Sequence, residues 1–239
     1  MKIANINKAY LGNTIINGIG DYYRYFDNEV APAYDNIVLG TCRAGTTGMV
    51  MQIDEVQYPV TIDGTNFSFH YTGSTLESLG GAFFGNTNLV SITYIGLDTR
   101  NNKRLNNMFQ GNSNLTSVNF EGMPVIGIIS LESMFYQASK ITSLDLHGWD
   151  TSQVTTTENC FVDATRLKTL DISGWDLSNA SNTRMFYRCI VRDIYMDGCN
   201  DTTLTKIQNA LEYKDVCTIH RDGYKYNYVN GQWIESQDT

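Results

Sequence analysis

Five phenylalanines, Phe83, Phe109, Phe135, Phe161 and Phe186, recur at intervals of 26, 26, 26 and 25 residues. A fixed interval of this size marks a repeat whose single copy cannot bury its own apolar edge, so the copies must stack. Other columns hold the same register. Six residues after each Phe stand Leu89, Leu115, Ile141, Leu167 and, after a one-residue deletion, Val191. Further on come Ile92, Val118, Leu144, Leu170 and Ile194, and two beyond those Tyr94, Phe120, Leu146, Ile172 and Met196. The apolar-x-apolar step between these last two columns predicts a short strand with one face buried. Leu79, Leu105 and Leu131 lie four residues before the Phe, and Met108, Met134 and Met185 directly precede it, a spacing that suits a helical turn. The expected fold class is a β-rich α/β solenoid of about five 25–26-residue units, each a strand plus a short helical segment, with parallel strands about 4.8 Å apart.

The period lies inside the roughly 20–29 residues of leucine-rich repeats. The run Met134-Phe135, Ile141, Leu144-Asp145-Leu146, Gly148-Trp149-Asp150-Thr151-Ser152 and Val154, continued by Phe161, Leu167 and Leu170-Asp171-Ile172-Ser173-Gly174-Trp175-Asp176, resembles the BspA-like leucine-rich repeat family of bacterial surface proteins. The resemblance covers roughly residues 76–198. Ala138, Ala164 and Cys189 match the small residue or Cys that the family places three after the Phe, whereas Asn86 and Asn112 depart from it, and Gly-Trp-Asp is missing from the first two units. What the resemblance implies is a leucine-rich repeat scaffold for adhesion or recognition at a cell surface, without catalysis.

The array divides the chain into an N-terminal β mounting element over 1–40, an N-terminal β cap over 41–75, the solenoid over 76–198, and a C-terminal cap over 199–239. Residues Ile3 to Ile16 read as two apolar-alternating segments around a Gly-Asn turn, a small hairpin. Within it, Ala9-Tyr10-Leu11-Gly12-Asn13-Thr14 is similar to short modules near the start of tail and other virion proteins of phages infecting gut bacteria. The aromatic cluster from Tyr22 to Phe26 is either core packing or a contact patch. Asn36 to Gly48 reads as turn-rich, followed by strands over Met49–Val56, Val60–Ile62 and Phe67–Tyr71. Past the array, Leu204, Ile207 and Leu211 predict an amphipathic helix over Thr203–Tyr213 capped by Thr202 or Thr203. Asp222-Gly223 and Asn230-Gly231 then predict a three-stranded meander over Val216–His220, Tyr224–Val229 and Gln232–Glu235.

A net charge of -8 with no cluster of Lys and Arg excludes nucleic acid as the expected partner, because phosphate contact needs a basic face. The start, Met1 to Lys8, has no apolar stretch of the kind a secretory signal carries, and no run reaches the roughly 20 apolar residues of a spanning helix. Membrane insertion is therefore not expected, and the chain, if complete, is expected to be made in a cytoplasm and to reach any exterior by assembly or lysis. His70, His147 and His220 fall in three different modules, and no H-E-x-x-H, G-x-S-x-G or phosphate-loop pattern occurs. No enzyme activity is expected. Five widely spaced cysteines without a C-x-x-C pair point to buried thiols, with Cys189 and Cys199 as the one pair that could meet. No cofactor or metal is expected either, although a cation between stacked Asp145 and Asp171 is left open.

Recognition is placed on the strands, where the residue between two buried columns must point outward, here onto the concave sheet face. That column reads Thr93, Asn119, Asp145, Asp171 and Tyr195. Flanking it, Asp193, Glu121, His147 and Asp197 complete a polar ladder suited to a glycan or a polar peptide. Asp145 and Asp171 are also consensus positions of the family, so a role in the repeat itself is the alternative. Phe83, Phe109, Phe135, Phe161, Phe186, Trp149 and Trp175 are expected to form the repeat core. The expected function is that of a phage virion component, made in the host cytoplasm, that recognises a glycan or protein of the bacterial host surface. Its N-terminal region would contact other virion subunits, and a homo-oligomer is compatible with this. The alternatives are a structural virion protein that binds its neighbours and a bacterial cell-surface adhesin.

Overall fold

A computed structural model describes residues 8–11, 14–17, 36–73 and 76–238. The aromatic cluster of residues 22–26 lies outside the described residues. The described residues form fifteen strands, β1 (Lys8–Leu11), β2 (Thr14–Asn17), β3 (Ile37–Cys42), β4 (Val50–Ile53), β5 (Val56–Pro59), β6 (Thr61–Asp63), β7 (Asn66–His70), β8 (Leu89–Ile95), β9 (Ser117–Asn119), β10 (Ser143–Asp145), β11 (Thr169–Asp171), β12 (Asp193–Tyr195), β13 (Thr218–Arg221), β14 (Tyr224–Val229) and β15 (Gln232–Gln237), with one α-helix, α1 (Asp201–Ala210). Strands β8 to β12 are the strands of five successive coils of a solenoid.

The repeated Phe column is the spine of the core. All five rings are at most 2% exposed. They stack from coil to coil at centroid separations of 6.2, 5.5, 5.8 and 5.4 Å. Trp149 and Trp175 are buried and stack at 6.0 Å.

The segment around each Phe is a run of turns, not the expected helical turn. The residues two before and two after every Phe lie in the left-handed region: Gly81 and Gly85, Asn107 and Gly111, Ser133 and Gln137, Asn159 and Asp163, Arg184 and Arg188. A helix cannot run through alternating left-handed residues. The alternation instead turns every second N–H toward the next coil. Asn107, Phe109 and Gly111 donate to the carbonyls of Glu132, Met134 and Tyr136 at 2.9, 2.9 and 2.8 Å, and the same triplet recurs at the other junctions. Each coil is thus laced to the next by backbone hydrogen bonds on the turn side. Asn112, which departs from the family's small residue, sends its Nδ2 to the carbonyls of Phe83 and Asn86, both at 2.8 Å.

Both ends of the array are covered. On the strand side β3 pairs antiparallel with β8 and also with β7. This strand corrects the turn-rich reading of residues 36–48, and it spans the boundary expected at 40/41. Its Val38, Leu39 and Gly40 are buried in succession, without alternation, and a Cβ on Gly40 would stand 2.2 Å from the Ser91 carbonyl oxygen and 2.4 Å from the Phe67 ring. Glycine there is the condition for close packing. On the turn side the β4–β5 hairpin docks on the first coil, Gln52 and Asp54 donating their N–H groups to the carbonyls of Ala82 and Ser78 at 2.9 and 3.0 Å. The single strand expected over 49–56 is therefore two pieces, broken where Asp54 and Glu55 both take positive φ, as a two-residue hairpin turn demands.

At the other end α1 covers the turn side. Its N-cap is Asn200, not Thr202 or Thr203, with the side chain accepting from the Thr203 N–H at 2.8 Å. Lys206 Nζ donates to the carbonyls of Leu177, Ser178 and Ala180 at 2.9, 2.9 and 2.7 Å, satisfying groups that no sixth coil is present to meet. β13 pairs parallel with β12 as a sixth rung, and β14 and β15 extend the sheet as the expected meander. At the N-terminus β1 and β2 pair antiparallel across Leu11 and Thr14.

Candidate functional site

The strand ladder of the solenoid is interrupted once. β6, β7, β3, β8 and β9 form one sheet and β10 to β15 another, so β9 and β10, on consecutive coils, do not pair. Elsewhere each coil repeats two strand-side bonds. Thr116, Lys168, Arg192 and Thr218 donate back to the preceding coil, and Leu146, Ile172 and Met196 donate forward at 2.8 to 2.9 Å. Among the described residues, the equivalent N–H groups of Thr142 and Phe120 have no backbone partner. The turn side stays closed at this junction, with Phe109 and Phe135 stacked and their coils laced.

Side-chain size explains why the opening falls here. Before the junction the inner column holds the rings of Tyr94 and Phe120, stacked at 5.7 Å; after it the column holds Leu146, Ile172 and Met196. The neighbouring column changes in the opposite sense, from Leu97 and Met123 to Trp149 and Trp175. Phe120 therefore meets Trp149 edge to face, 5.0 Å between centroids and 89° between planes, where other coils stack like on like. The loop after β9 also carries Pro124, which has no N–H to offer. The coils rejoin only at the Asp150 N–H, which donates to the Val125 carbonyl at 3.1 Å.

The result is a cleft of about 670 Å³ between β9 and β10, lined by Asn119, Glu121, Pro124, Asp145, His147 and Trp149 among others. Four of the candidate binding residues, Asn119, Glu121, Asp145 and His147, thus come together on one cleft. Asp171 lies beside them, in register with Asp145 on β11. Thr93 sits on β8 beyond Asn119, and Tyr195 and Asp193 sit on β12 toward the C-terminal end. Asp197 leaves the ladder to accept the Asp222 N–H at 2.6 Å.

Several of these side chains also hold the coil in shape. Asn119, Asp145 and Asp171 each accept the N–H of the residue two further on, at 2.8, 3.2 and 2.9 Å, which turns the chain out of its strand. His147 reaches back so that Nδ1 lies 2.5 Å from Asp145 Oδ1. That hydrogen bond and the Asp145 charge raise the imidazole pKa above its ordinary value. Both side chains are about two-thirds exposed, at 66% and 68%.

Sequence reading missed His220. β13 is the sixth rung, so His220 stands in register with Tyr195, their rings stacked at 4.6 Å. It lies 2.5 Å from Asp238 and 3.2 Å from Asp193. The signal was Ile219, which continues the buried strand column one rung past the last Phe.

No helix among the described residues is long and apolar enough to cross a membrane. Compared with known proteins, the chain matches no curated protein and no solved structure. The family described as "Mycoplasma protein of unknown function, DUF285" matches residues 77–212, more than half of the chain, spanning all five coils and α1. This match is compatible with a BspA-like repeat protein. A solenoid of five such coils with its strand side opened once is, on that match, a member of the DUF285 family.

Proposed function

We propose that this chain is a non-enzymatic, adhesin-like binding protein that takes a polar surface ligand, a glycan or a polar peptide segment, into the cleft between β9 and β10. The observation that carries this reading is the single break in an otherwise continuous ladder, placed where Asn119, Glu121, Asp145 and His147 converge. Backbone groups at an open strand edge are unsatisfied donors and acceptors, and hydroxyl-rich or amide-rich ligands satisfy both. The side chains around them add carboxylates, an amide and an imidazole, and Trp149 supplies an apolar wall. The His147–Asp145 pair is open to water, which suits a recognition group better than a base that works by excluding solvent.

The finer reading mounts the chain on a phage virion through its N-terminal region, with a bacterial host surface as the target; its support is the resemblance at Ala9–Thr14. Binding of the purified, labelled chain to a panel of gut-type bacterial cells tests the proposal. Binding is expected, with loss when Asn119 and His147 are both changed to Ala and retention when Thr93, outside the cleft, is changed. No binding across the panel, or binding indifferent to the double change, would contradict it. Co-purification with phage particles or with bacterial envelopes separates virion from cell surface.

A further inference from the structure

We infer that Asp145, His147 and Asp171 bind one divalent transition-metal ion at the edge of the β9/β10 cleft. Asp145 and Asp171 are direct register partners on the paired parallel strands β10 and β11, so their carboxylates leave the same face one rung apart. His147 is two residues beyond Asp145 and joins them on that face. One oxygen of each carboxylate and one imidazole nitrogen all lie within 4.8 Å of one another. Ligands about 2.1 Å from a common ion stand roughly 3.0–3.5 Å apart, so the widest separation needs to contract by about 1 Å, while the 2.5 Å contact between His147 Nδ1 and Asp145 Oδ1 gives way. Exposed side chains make that contraction by rotation about their own bonds, and Asp145 and His147 are both about two-thirds exposed.

Two features besides proximity point to an ion. Like charges directly opposite each other across paired strands repel. Among the described residues Asp145 has His147 as its ion-pair partner, and Asp171 appears in no ion pair. The second feature is the cleft itself. Two of the three ligands, Asp145 and His147, stand on its wall, so the coordination positions that three protein ligands leave open face a space of about 670 Å³. A ligand oxygen entering the cleft could complete the ion's shell. The donor set decides the class of ion: two carboxylate oxygens and an imidazole suit a first-row transition ion such as Zn²⁺ or Co²⁺, whereas Ca²⁺ asks for six to eight oxygens.

This inference deepens the reading of the cleft as a recognition site but does not need a ligand to be identified. The test is titration of the full, untagged, chelator-stripped chain with Zn²⁺ by calorimetry, and with Co²⁺ by visible absorption. One ion per chain is expected, with affinity falling at least about tenfold in Asp171→Asn and in His147→Gln. Asp238→Asn, which alters the separate His220 group, is expected to leave it unchanged. Circular dichroism melts of each variant exclude unfolding as the cause of a loss. Absence of saturable binding up to about 1 mM would overturn the inference. So would binding that survives Asp171→Asn, or that disappears in Asp238→Asn. Repeating the cell-binding assay in chelator keeps the two proposals apart: cell binding that persists there, beside a failed metal titration, removes the ion and leaves the cleft.

Discussion

Each coil is shaped by two residues in the left-handed region, and the sequence meets that demand unevenly. The first coil uses Gly81 and Gly85, the second Asn107 and Gly111, the fourth Asn159 and Asp163, all residue types that visit this region readily. The third coil uses Ser133 and Gln137, and the fifth uses Arg184 and Arg188. Non-glycine residues in this region pay roughly 1–2 kcal/mol, less any gain from their own contacts. Gln137, exposed with φ 61°, is therefore the position where the backbone conformation and the residue type disagree most plainly. Gln137→Gly should stabilise the protein by about 1 kcal/mol in urea denaturation. Gly111→Ala, where φ is 76° and a Cβ would stand 3.4 Å from Gly85 Cα, should destabilise it by about the same amount. A stability change of the opposite sign in either variant would mean that the turn ladder is not built as described. The same residues show what the sequence concealed. The columns of Leu, Met and Phe were legible as a repeat, but Ser, Gln and Arg carry no sign of a left-handed backbone, so the segment read as helical.

Among elements, those announced by strong local signals were legible. The Asp222-Gly223 and Asn230-Gly231 turns placed β14 and β15 closely, and the five strand columns placed β8 to β12. What escaped were elements whose signal is tertiary. β3 carries buried residues on both faces, Val38 on one and Leu39 on the other, so it lacks the clean alternation that marks a half-buried strand, and its central glycine looks like a turn residue until the neighbouring Phe67 ring is seen against it. The Asp54-Glu55 turn contains neither Gly nor Asn, so the β4–β5 hairpin read as one strand. For the site, the outward polar column was legible because it follows from period two alone. The break between β9 and β10 was not, because it arises from ring shapes on two columns that only packing brings together. That packing yields a prediction for the two indoles. Trp175 is 1% exposed and donates its Nε1–H to the Leu146 carbonyl at 2.8 Å, while Trp149 borders the cleft. Truncation to Ala should cost roughly 3–5 kcal/mol in each case, with Trp175→Ala the larger because it leaves both a closed cavity and an unpaired carbonyl. Measured unfolding free energies in the reverse order would place the closed core on the other side.

At the scale of the molecule, the protein is a solenoid sealed at both ends and open once in its middle. β3 and the β4–β5 hairpin cover the first coil, and α1 with the β13–β15 meander covers the last, so among the described residues no strand-side edge of the array is left at either end. The internal opening at β9/β10 sits on the face that also carries the acidic ladder, and recognition is attributed to it for that reason. Hydrogen exchange resolved to single amides by NMR tests that opening most directly. The amides of Phe120 and Thr142 should exchange much faster than their counterparts one coil on, Leu146 and Lys168, which are bonded to Asp171 and Thr142 carbonyls at 2.8 Å. Equal, strong protection at all four positions would mean that the ladder is continuous and that the cleft does not exist in solution.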